Sequence, residues 1–392
     1  MDETDVPFYG IRYSFDGDKI LGQAPLVAKN DHILVGYDLF DNVSYFLRGA
    51  ESSLGMKRIK GRDLRLNPQS LQEIRGVPPS VPIVDIHAKL LLFSILLLHK
   101  REGFPLLVKR IPPADFLAGL AISFPVLSIG KPRFGIISKI LGKGESWLER
   151  LAKNSDQIAF FVGRGEDYSP SGISDELRFL EESGHEVGLL ASTRASIDHS
   201  VIAEEYEELA NVLKRGDIGV RFRGISSTLM DAWKSAAYIN ASYVLTADLT
   251  SGIGFGLGIS LPFKPNDLVW NIPVIARLYG REKVPNVVDF IKNKGGMVAV
   301  DVYDEYAALS LNNRAQKAGL WVTTPDRMIK RFRAVSGVRG VFRYDRKYLE
   351  GKIVSAENVK DLSLRVINPS GRDIYLKIDL VKDKSYEINV PV

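Results

Sequence analysis

Seven short apolar runs recur in the middle of the chain, and stretches with a helical period separate them. The runs are apolar nearly throughout, as strands buried on both faces of a parallel sheet must be. They lie at residues 117–123, 157–162, 186–191, 218–222, 241–246, 297–302 and 320–323. Strands that alternate with helices in this way predict a barrel-like parallel α/β domain.

The helical stretches have recognisable ends. We expect Ser174 to cap a helix whose first turn carries Asp175 and Glu176, because acidic side chains suit the positive end of the helix dipole. Gly184 is expected to end that helix. The pattern of residues 202–214 predicts a second helix of the same kind.

The two ends of the chain differ in pattern from the middle. Residues 33–37 predict a strand, residues 38–51 an amphipathic helix and residues 88–100 a buried apolar helix. Toward the C-terminus, three segments alternate with the two-residue period of half-exposed strands: 362–366, 374–378 and 386–390. We therefore expect an N-terminal α/β domain over 1–110, a barrel over 111–332 and a small antiparallel β domain over 333–392.

Composition narrows the class of protein. The 392 residues are 45% hydrophobic and 25% charged, which is typical of soluble globular proteins. The chain has no cysteine, which excludes disulfides, thiolate metal ligands and cysteine nucleophiles. The net charge of +5 comes from 52 basic and 47 acidic residues and is too mild to predict nucleic-acid binding.

Neither the first residues nor the apolar stretches indicate export or a membrane span. Residues 1–10 lack the basic-then-apolar layout of a signal peptide. The most apolar run, residues 90–98, is shorter than the roughly 18 residues that cross a bilayer. We therefore expect a cytoplasmic protein without a membrane span, and the sequence leaves its oligomeric state open.

No motif indicates a metal or a cofactor. The histidines stand at positions 32, 87, 99, 185 and 199, and no two have the spacing that presents paired ligands. Asp85 and His87 would share one side of a strand, and we interpret them as a hydrogen-bonded structural pair. The glycine-rich segment 252–258 fails as a dinucleotide fingerprint, because Pro262 and Pro265 follow where a helix must begin. We predict no cofactor and no metal.

Several segments match the motifs of one enzyme family in order and spacing. They are DQIAFFVGRGED at 156–167, DELRFLEESGHEVG at 175–188, GVRFRG at 219–224, GFGLGISLPFKP at 254–265 and the run 295–306. In this arrangement the chain resembles a polysaccharide deacetylase of carbohydrate esterase family 4, and residues 38–51 and 82–85 resemble an N-terminal domain of some members. The resemblance implies a distorted (β/α) barrel of about seven parallel strands.

The resemblance also implies a metal-dependent reaction, from which this chain departs. The family uses one aspartate to activate water, another aspartate with two histidines to bind a divalent metal, and a further histidine as acid. Pro125 and Leu127 stand at the aspartate positions, Leu190 at the first histidine and Tyr303 at the acid histidine. An expected arginine is replaced by Gly256. The resemblance therefore implies a scaffold with a degenerate site.

Polar residues at the carboxyl ends of the strands are the substrate-binding candidates, because the functional face of such a barrel lies there. They are Ser192, Arg194, Arg223, Asp248, Asp301, Tyr303 and Glu305. Asp248 matches an aspartate that the family keeps, or else caps a loop. Arg223 is expected to contact a substrate oxygen or an acidic side chain. Tyr303 and Trp270 are candidates for stacking on a sugar or for core packing, and Asp301 needs a partner or solvent.

Three functions remain open. The first is a deacetylase-like protein without catalysis that binds a glycan or a protein partner. The second is an active hydrolase on a carbohydrate amide or ester, with Asp248, Asp301 and Glu305 as a rebuilt site. The third is an assembly subunit whose barrel mouth is filled by side chains. Convergence of the three carboxylates would favour the hydrolase.

Overall fold

The computed structural model describes residues 14–16, 19–21, 27–29, 32–34, 56–59, 63–75, 78–129, 146–165, 167–246, 249, 251–369 and 371–392. The strands are β1 (Ser14–Asp16), β2 (Lys19–Leu21), β3 (Val27–Lys29), β4 (His32–Leu34), β5 (Met56–Ile59), β6 (Asp63–Leu66), β7 (Leu106–Arg110), β8 (Gly119–Pro125), β9 (Ile158–Val162), β10 (Glu186–Ala191), β11 (Val220–Phe222), β12 (Val244–Thr246), β13 (Asn271–Leu278), β14 (Met297–Val302), β15 (Trp321–Thr323), β16 (Arg339–Tyr344), β17 (Tyr348–Val354), β18 (Val359–Ile367), β19 (Ile374–Leu380) and β20 (Ser385–Pro391). The α-helices are α1 (Pro68–Arg75), α2 (Ile83–Glu102), α3 (Trp147–Lys153), α4 (Ser174–Glu182), α5 (His199–Leu213), α6 (Leu229–Tyr238), α7 (Val284–Lys294), α8 (Glu305–Lys317) and α9 (Pro325–Ser336).

Seven parallel strands, β8 to β14, form a closed ring. Each strand pairs with the next, and β14 closes the ring on β8, where Met297 lies opposite Gly119 and Asp301 opposite Ser123. Strands β8, β9, β10 and β14 are buried along their whole length, as strands between an outer layer of helices and a filled interior must be. The predicted barrel of about seven parallel strands is confirmed.

One predicted ring strand lies outside the ring. The segment 320–323 forms β15, which pairs with the first three residues of β8. The second half of β8 pairs with β9, so β8 changes partner halfway along. The expectation that 320–323 is one of the strands of the barrel is wrong, because β14 closes the ring on β8 and leaves β15 outside it.

Strand β13 completes the ring and has no counterpart among the predicted strands. Its Pro273 lies in the middle of the ring, paired with Thr246 of β12. Proline cannot donate to a strand ladder and is typical of edge strands, so the local pattern speaks against a central strand here. A register shift between Val274 and Ala276 on the β14 side accommodates the irregularity.

The ends of α4 agree with the prediction in part. A single 3-10 turn, Pro170–Ile173, leads directly into the helix, and Ile173 is the N-cap residue. Ser174 is therefore the first helical residue, and its predicted role as a cap is wrong. Gly184 has a φ of +85°, which is the left-handed conformation that ends a helix, as predicted.

The antiparallel strands β7 and β16 to β20 form a two-layered sandwich. One sheet has the order β16–β17–β20 and the other β19–β18–β7. Leu349 and Ile353 of the first sheet share a core with Leu362 and Leu364 of the second. The three strands predicted in this region are confirmed as β18, β19 and β20. Strands β16 and β17 are additions to the prediction, and β7 comes from a distant part of the chain.

Helix α2 confirms the predicted apolar helix and corrects two expectations. Ile83 and Val84 are buried, whereas Leu92 is 37% exposed, so the helix is not buried along its whole length. Asp85 and His87 both lie on α2. The predicted placement of this pair on a strand is therefore wrong. Among the described residues, no helix is long and apolar enough to span a membrane.

Two further predictions fall near the beginning of the chain. The predicted helix over 38–51 lies outside the described residues. Of the predicted strand over 33–37, only the part within β4 is described.

Contacts divide the chain into two compact units. One consists of residues 1–46, 83–115 and 330–392, and the other of residues 47–82 and 116–329. The barrel belongs to the second unit and the sandwich strands to the first. The division at 110 and 332 stays a prediction about folding units.

A buried carboxylate lies at the amino-terminal end of the barrel. Glu186, the first residue of β10, accepts hydrogen bonds from the Tyr243 hydroxyl and, at 3.0 Å, from the backbone N–H of Asp326 in the first turn of α9. Burial raises the pKa of Glu186 to about 7, although these hydrogen bonds favour the charged form. The folded protein therefore holds a proton here that the unfolded chain releases near pH 4.5.

We expect the Glu186→Gln substitution to remove a pH dependence of stability. Because the folded pKa lies above the unfolded value, this group contributes most below pH 4.5, and its contribution falls until the pH passes about 7. Each pKa unit corresponds to about 1.4 kcal/mol. Urea unfolding between pH 4.5 and 8 measures the difference. The exposed control Glu207→Gln should keep the wild-type slope, and equal slopes in all three proteins would refute this origin.

Candidate functional site

The carboxyl ends of β13 and β14 begin two adjacent loops at the mouth of the barrel. The backbone N–H of Tyr303, directly after β14, donates to the carbonyl of Leu278 at the end of β13 at 2.9 Å. The loop after β13 continues into a short 3-10 turn, Arg281–Lys283, and then into α7. The loop after β14 leads through Asp304 into α8. Side chains of these two loops therefore share one part of the mouth.

The resemblance places Pro125, Leu127, Leu190 and Tyr303 at the family's metal and proton-transfer positions, and the first three of these side chains are apolar. Pro125 ends β8 and Leu190 is buried in β10, whereas Leu127 is 43% exposed just beyond β8. Proline and leucine side chains offer no atom that binds a metal. Within the part of the chain that the structure describes, no three His, Cys, Asp or Glu residues are placed to hold a metal ion. The donor set does not fit the divalent metal that the resemblance implies.

An ion pair crosses the interior of the barrel. Arg221 of β11 donates from Nη2 and Nε to Oδ2 of Asp301 of β14, at 2.5 and 3.0 Å. The side chains are 4% and 0% exposed. Strands β12 and β13 separate β11 from β14 in the ring, so the pair joins strands that are not neighbours. The partner that a mid-strand Asp301 requires is thereby found.

A second guanidinium approaches the same carboxylate. Arg277 lies opposite Asp301 in the pairing of β13 with β14, and its Nε is 4.0 Å from Oδ2. Burial acts to lower the pKa of Arg221, but the attraction of Asp301 and Tyr303 outweighs it and raises the pKa overall. The interior below the mouth therefore contains a buried carboxylate with two guanidinium groups beside it.

Three candidates that follow β10 and β11 contact their own loop or a neighbouring loop. Arg194 pairs with Asp198 at 2.9 Å, and its side chain is 75% exposed. The Ser192 hydroxyl accepts from the backbone N–H of Ala195 at 3.3 Å. Arg223 donates to the backbone carbonyl of Arg164. These contacts stabilise loops, and a role in substrate binding stays a prediction for each residue.

The remaining candidates are dispersed. Asp248 lies outside the described residues. Glu305 begins α8 and pairs with Arg150 at 3.5 Å, so it has a different partner from Asp301. Trp270 directly precedes β13, and its backbone carbonyl accepts a hydrogen bond from the backbone N–H of Val244 at 2.7 Å. It therefore lies at the opposite end of β13 from the mouth, where it cannot join Tyr303.

Tyrosine side chains form a surface at the mouth that we call the tyrosine platform: Tyr279, Tyr303 and Tyr306, with Arg281. The rings of Tyr279 and Tyr303 are stacked, with centroids 4.8 Å apart and planes 15° apart. The Arg281 guanidinium lies 4.5 Å from the centroid of the Tyr306 ring. Tyr279 is 66% and Tyr306 57% exposed. Tyr303 is half-buried, and burial raises its pKa; its ring covers one face of the more exposed Tyr279 ring.

Sequence reasoning identifies Tyr303 and misses the rest of the platform. Tyr279 directly follows β13, and a residue at the end of an unrecognised strand is not assigned to the mouth. Tyr306 is at the second position of α8, and no sequence pattern marks it as a residue of the mouth. Recognition of 271–278 as a strand is the signal that leads to Tyr279 and Arg281.

No family model and no curated protein match the chain. Among solved structures, the chain is similar to a protein from Mycobacterium smegmatis assigned to the polysaccharide deacetylases, with 13% identity, coverage of 56% of this chain and 92% of that one, and a TM-score of 0.39. It is also similar to a carbohydrate esterase family 4 pseudoenzyme from Bacillus anthracis (12% identity, 55% and 66% coverage, TM-score 0.32) and to a family 4 carbohydrate esterase from Streptomyces lividans (10%, 53% and 92%, 0.31). At these values the likeness assigns no activity to this chain.

We expect loss of the Arg221 charge to destabilise the barrel strongly. The Arg221→Met substitution leaves the Asp301 carboxylate buried without its main partner, which costs about 3 to 5 kcal/mol. Urea unfolding at neutral pH measures the loss. The double variant Arg221→Met with Asp301→Leu should recover most of it, because both charges are then absent.

The exposed pair of Arg150 and Glu305 provides the matched control. Its side chains are 52% and 21% exposed, so Arg150→Met should cost about 1 kcal/mol or less. Similar small losses from Arg221→Met and Arg150→Met would contradict a structural role for the buried pair.

Proposed function

We propose that the barrel is a glycan-binding, deacetylase-like module that does not carry out metal-dependent deacetylation. The observation that carries the proposal is the exposed ring of Tyr279, held against Tyr303 at the mouth. Aromatic faces suit the apolar face of a pyranose, and tyrosine also offers a hydroxyl to a polar ligand. The cytoplasmic location expected from the sequence remains part of this proposal.

Because Tyr279 is stacked on Tyr303, its ring is ordered before a ligand binds. A side chain that is already ordered loses little conformational entropy when a ligand binds. Tyrosine has few rotatable bonds and a large contact area, which makes it an efficient binding residue. Tyr303 fixes one face of the Tyr279 ring, and the exposed remainder is available to a sugar.

The buried ion pair in the barrel supports binding of the ligand at the rim. Arg221 and Asp301 are almost fully buried and engaged with each other, so a glycan has contact with the rim of the barrel rather than with its centre. An interior that contains this ion pair also suits an assembly subunit without a small ligand. The exposed aromatic surface is what favours glycan binding over that alternative.

The hydrolase alternative gains no support from the described contacts. Oδ1 of Asp301 has no hydrogen-bond partner among the described residues, but Asp301 is fully buried. Glu305 pairs with Arg150, so the two carboxylates have separate surroundings. An acid–base pair needs both groups within reach of the same substrate. Asp248 lies outside the described residues, and its part in a rebuilt site stays a prediction.

We expect the Tyr279→Ala variant to bind glycans about tenfold more weakly than the wild type, a loss of about 1.4 kcal/mol. The reason is loss of the stacking face. Isothermal titration with a panel of oligosaccharides, among them chito-oligosaccharides and oligogalacturonates, measures affinity, and thermal unfolding verifies that the variant is folded.

Tyr238→Ala is the matched control. Tyr238 is 59% exposed and stacks on His199, so it is an exposed, stacked tyrosine away from the platform. Binding that is unchanged in Tyr238→Ala and weakened in Tyr279→Ala supports the proposal. Failure of the wild type to bind any glycan of the panel, or equal weakening by both substitutions, would refute it.

A further inference from the structure

We propose that the glycan is acidic, with a sugar carboxylate bound by Arg281 next to the ring that stacks on Tyr279. This inference rests on the proposed glycan-binding function and names its ligand class. A uronic acid residue combines the two required features, since it has a pyranose face and a carboxylate on the same ring.

Arg281 is held in an orientation suited to a carboxylate. Its guanidinium lies over the ring of Tyr306, a contact that fixes the plane of the group and engages its face. The N–H donors point outward from the edge of that plane, and a carboxylate binds them in pairs. Arg281 is exposed, and the cost of ordering its long side chain is reduced before a ligand arrives.

Tyr279 and Arg281 are close enough to contact one sugar residue. Only Gly280 separates them, so their Cα atoms are at most about 7 Å apart. Both belong to the loop between β13 and α7. A ring stacked on Tyr279 therefore brings its substituents within reach of a long arginine side chain.

The charges around Arg281 leave it available for a ligand. Among the described residues no carboxylate forms an ion pair with it. Glu305 pairs with Arg150, and the Asp304 side chain accepts the backbone N–H of Ala307 as the cap of α8. Lys283 adds a second exposed cation to the turn. Glu305 and Asp304 therefore each have a partner other than Arg281.

Glu282 is a local competitor for Arg281. Its Oε2 lies 2.5 Å from the position that a Cβ would occupy on Gly280, so its carboxylate is folded back beside the segment that joins Tyr279 to Arg281. A negative charge at this place opposes an acidic ligand. We therefore expect Glu282→Gln to strengthen the binding of acidic glycans.

The test compares one sugar chain with and without its charge. Oligogalacturonates and their methyl esters have the same ring and differ in the carboxylate, and isothermal titration with the full-length protein measures both. We expect the acidic form to bind about tenfold more tightly, as for a charge-assisted hydrogen bond. Arg281→Gln should remove this preference and keep binding of the ester. Arg314→Gln, an exposed arginine near the other end of α8, should retain it.

The outcomes separate this inference from the proposed function. Equal affinity of the wild type for the acid and the ester would overturn the acidic preference and leave glycan binding intact. Absence of binding to every glycan would overturn both. Polyglutamate that binds as tightly as oligogalacturonate would show general charge attraction and overturn the inference. A preference that is lost in Arg281→Gln and enhanced in Glu282→Gln supports it.

Discussion

The buried ion pair between Arg221 and Asp301 determines where this barrel can present a binding surface. A carboxylate inside a closed ring is costly unless a cation accompanies it, and here the two partners come from strands on different parts of the ring. Their side chains and Arg277 occupy the interior below the mouth. The exposed aromatic side chains lie on the rim instead, where the loops after β13 and β14 carry the tyrosine platform.

The residues at the strand ends bear on whether the barrel can perform the metal-dependent reaction that the sequence resemblance implies. A parallel ring needs apolar strands and covering helices, and it tolerates many different side chains at the strand ends. Pro125 and Leu190 are buried and Leu127 is 43% exposed, and none of the three side chains offers a metal ligand. Tyr303, which the resemblance places at the family's acid histidine, stacks on Tyr279. Within the described residues, the loops at the mouth present stacked aromatic side chains, and no cluster of metal-binding residues is found.

The hydrophobic pattern predicts six of the seven ring strands, because each is buried on both faces and reads as a continuous apolar run. It misses β13, where Pro273 contradicts the usual composition of a central strand. Tyr279 and Arg281 are missed with it. The pairing of Arg221 with Asp301 depends on closure of the ring, which no local pattern encodes. Ser174 is misassigned as a cap because the preceding turn is continuous with the helix.

Metal content and acetate release, measured on the same purified sample, test most directly whether this barrel has lost the deacetylase reaction. Elemental analysis follows incubation with zinc, cobalt or nickel, and acetylated chito-oligosaccharides serve as substrate. We expect no stoichiometric metal and no acetate above the protein-free control, because the side chains at Pro125, Leu127 and Leu190 supply neither ligand nor base. Stoichiometric metal together with acetate release would contradict this conclusion.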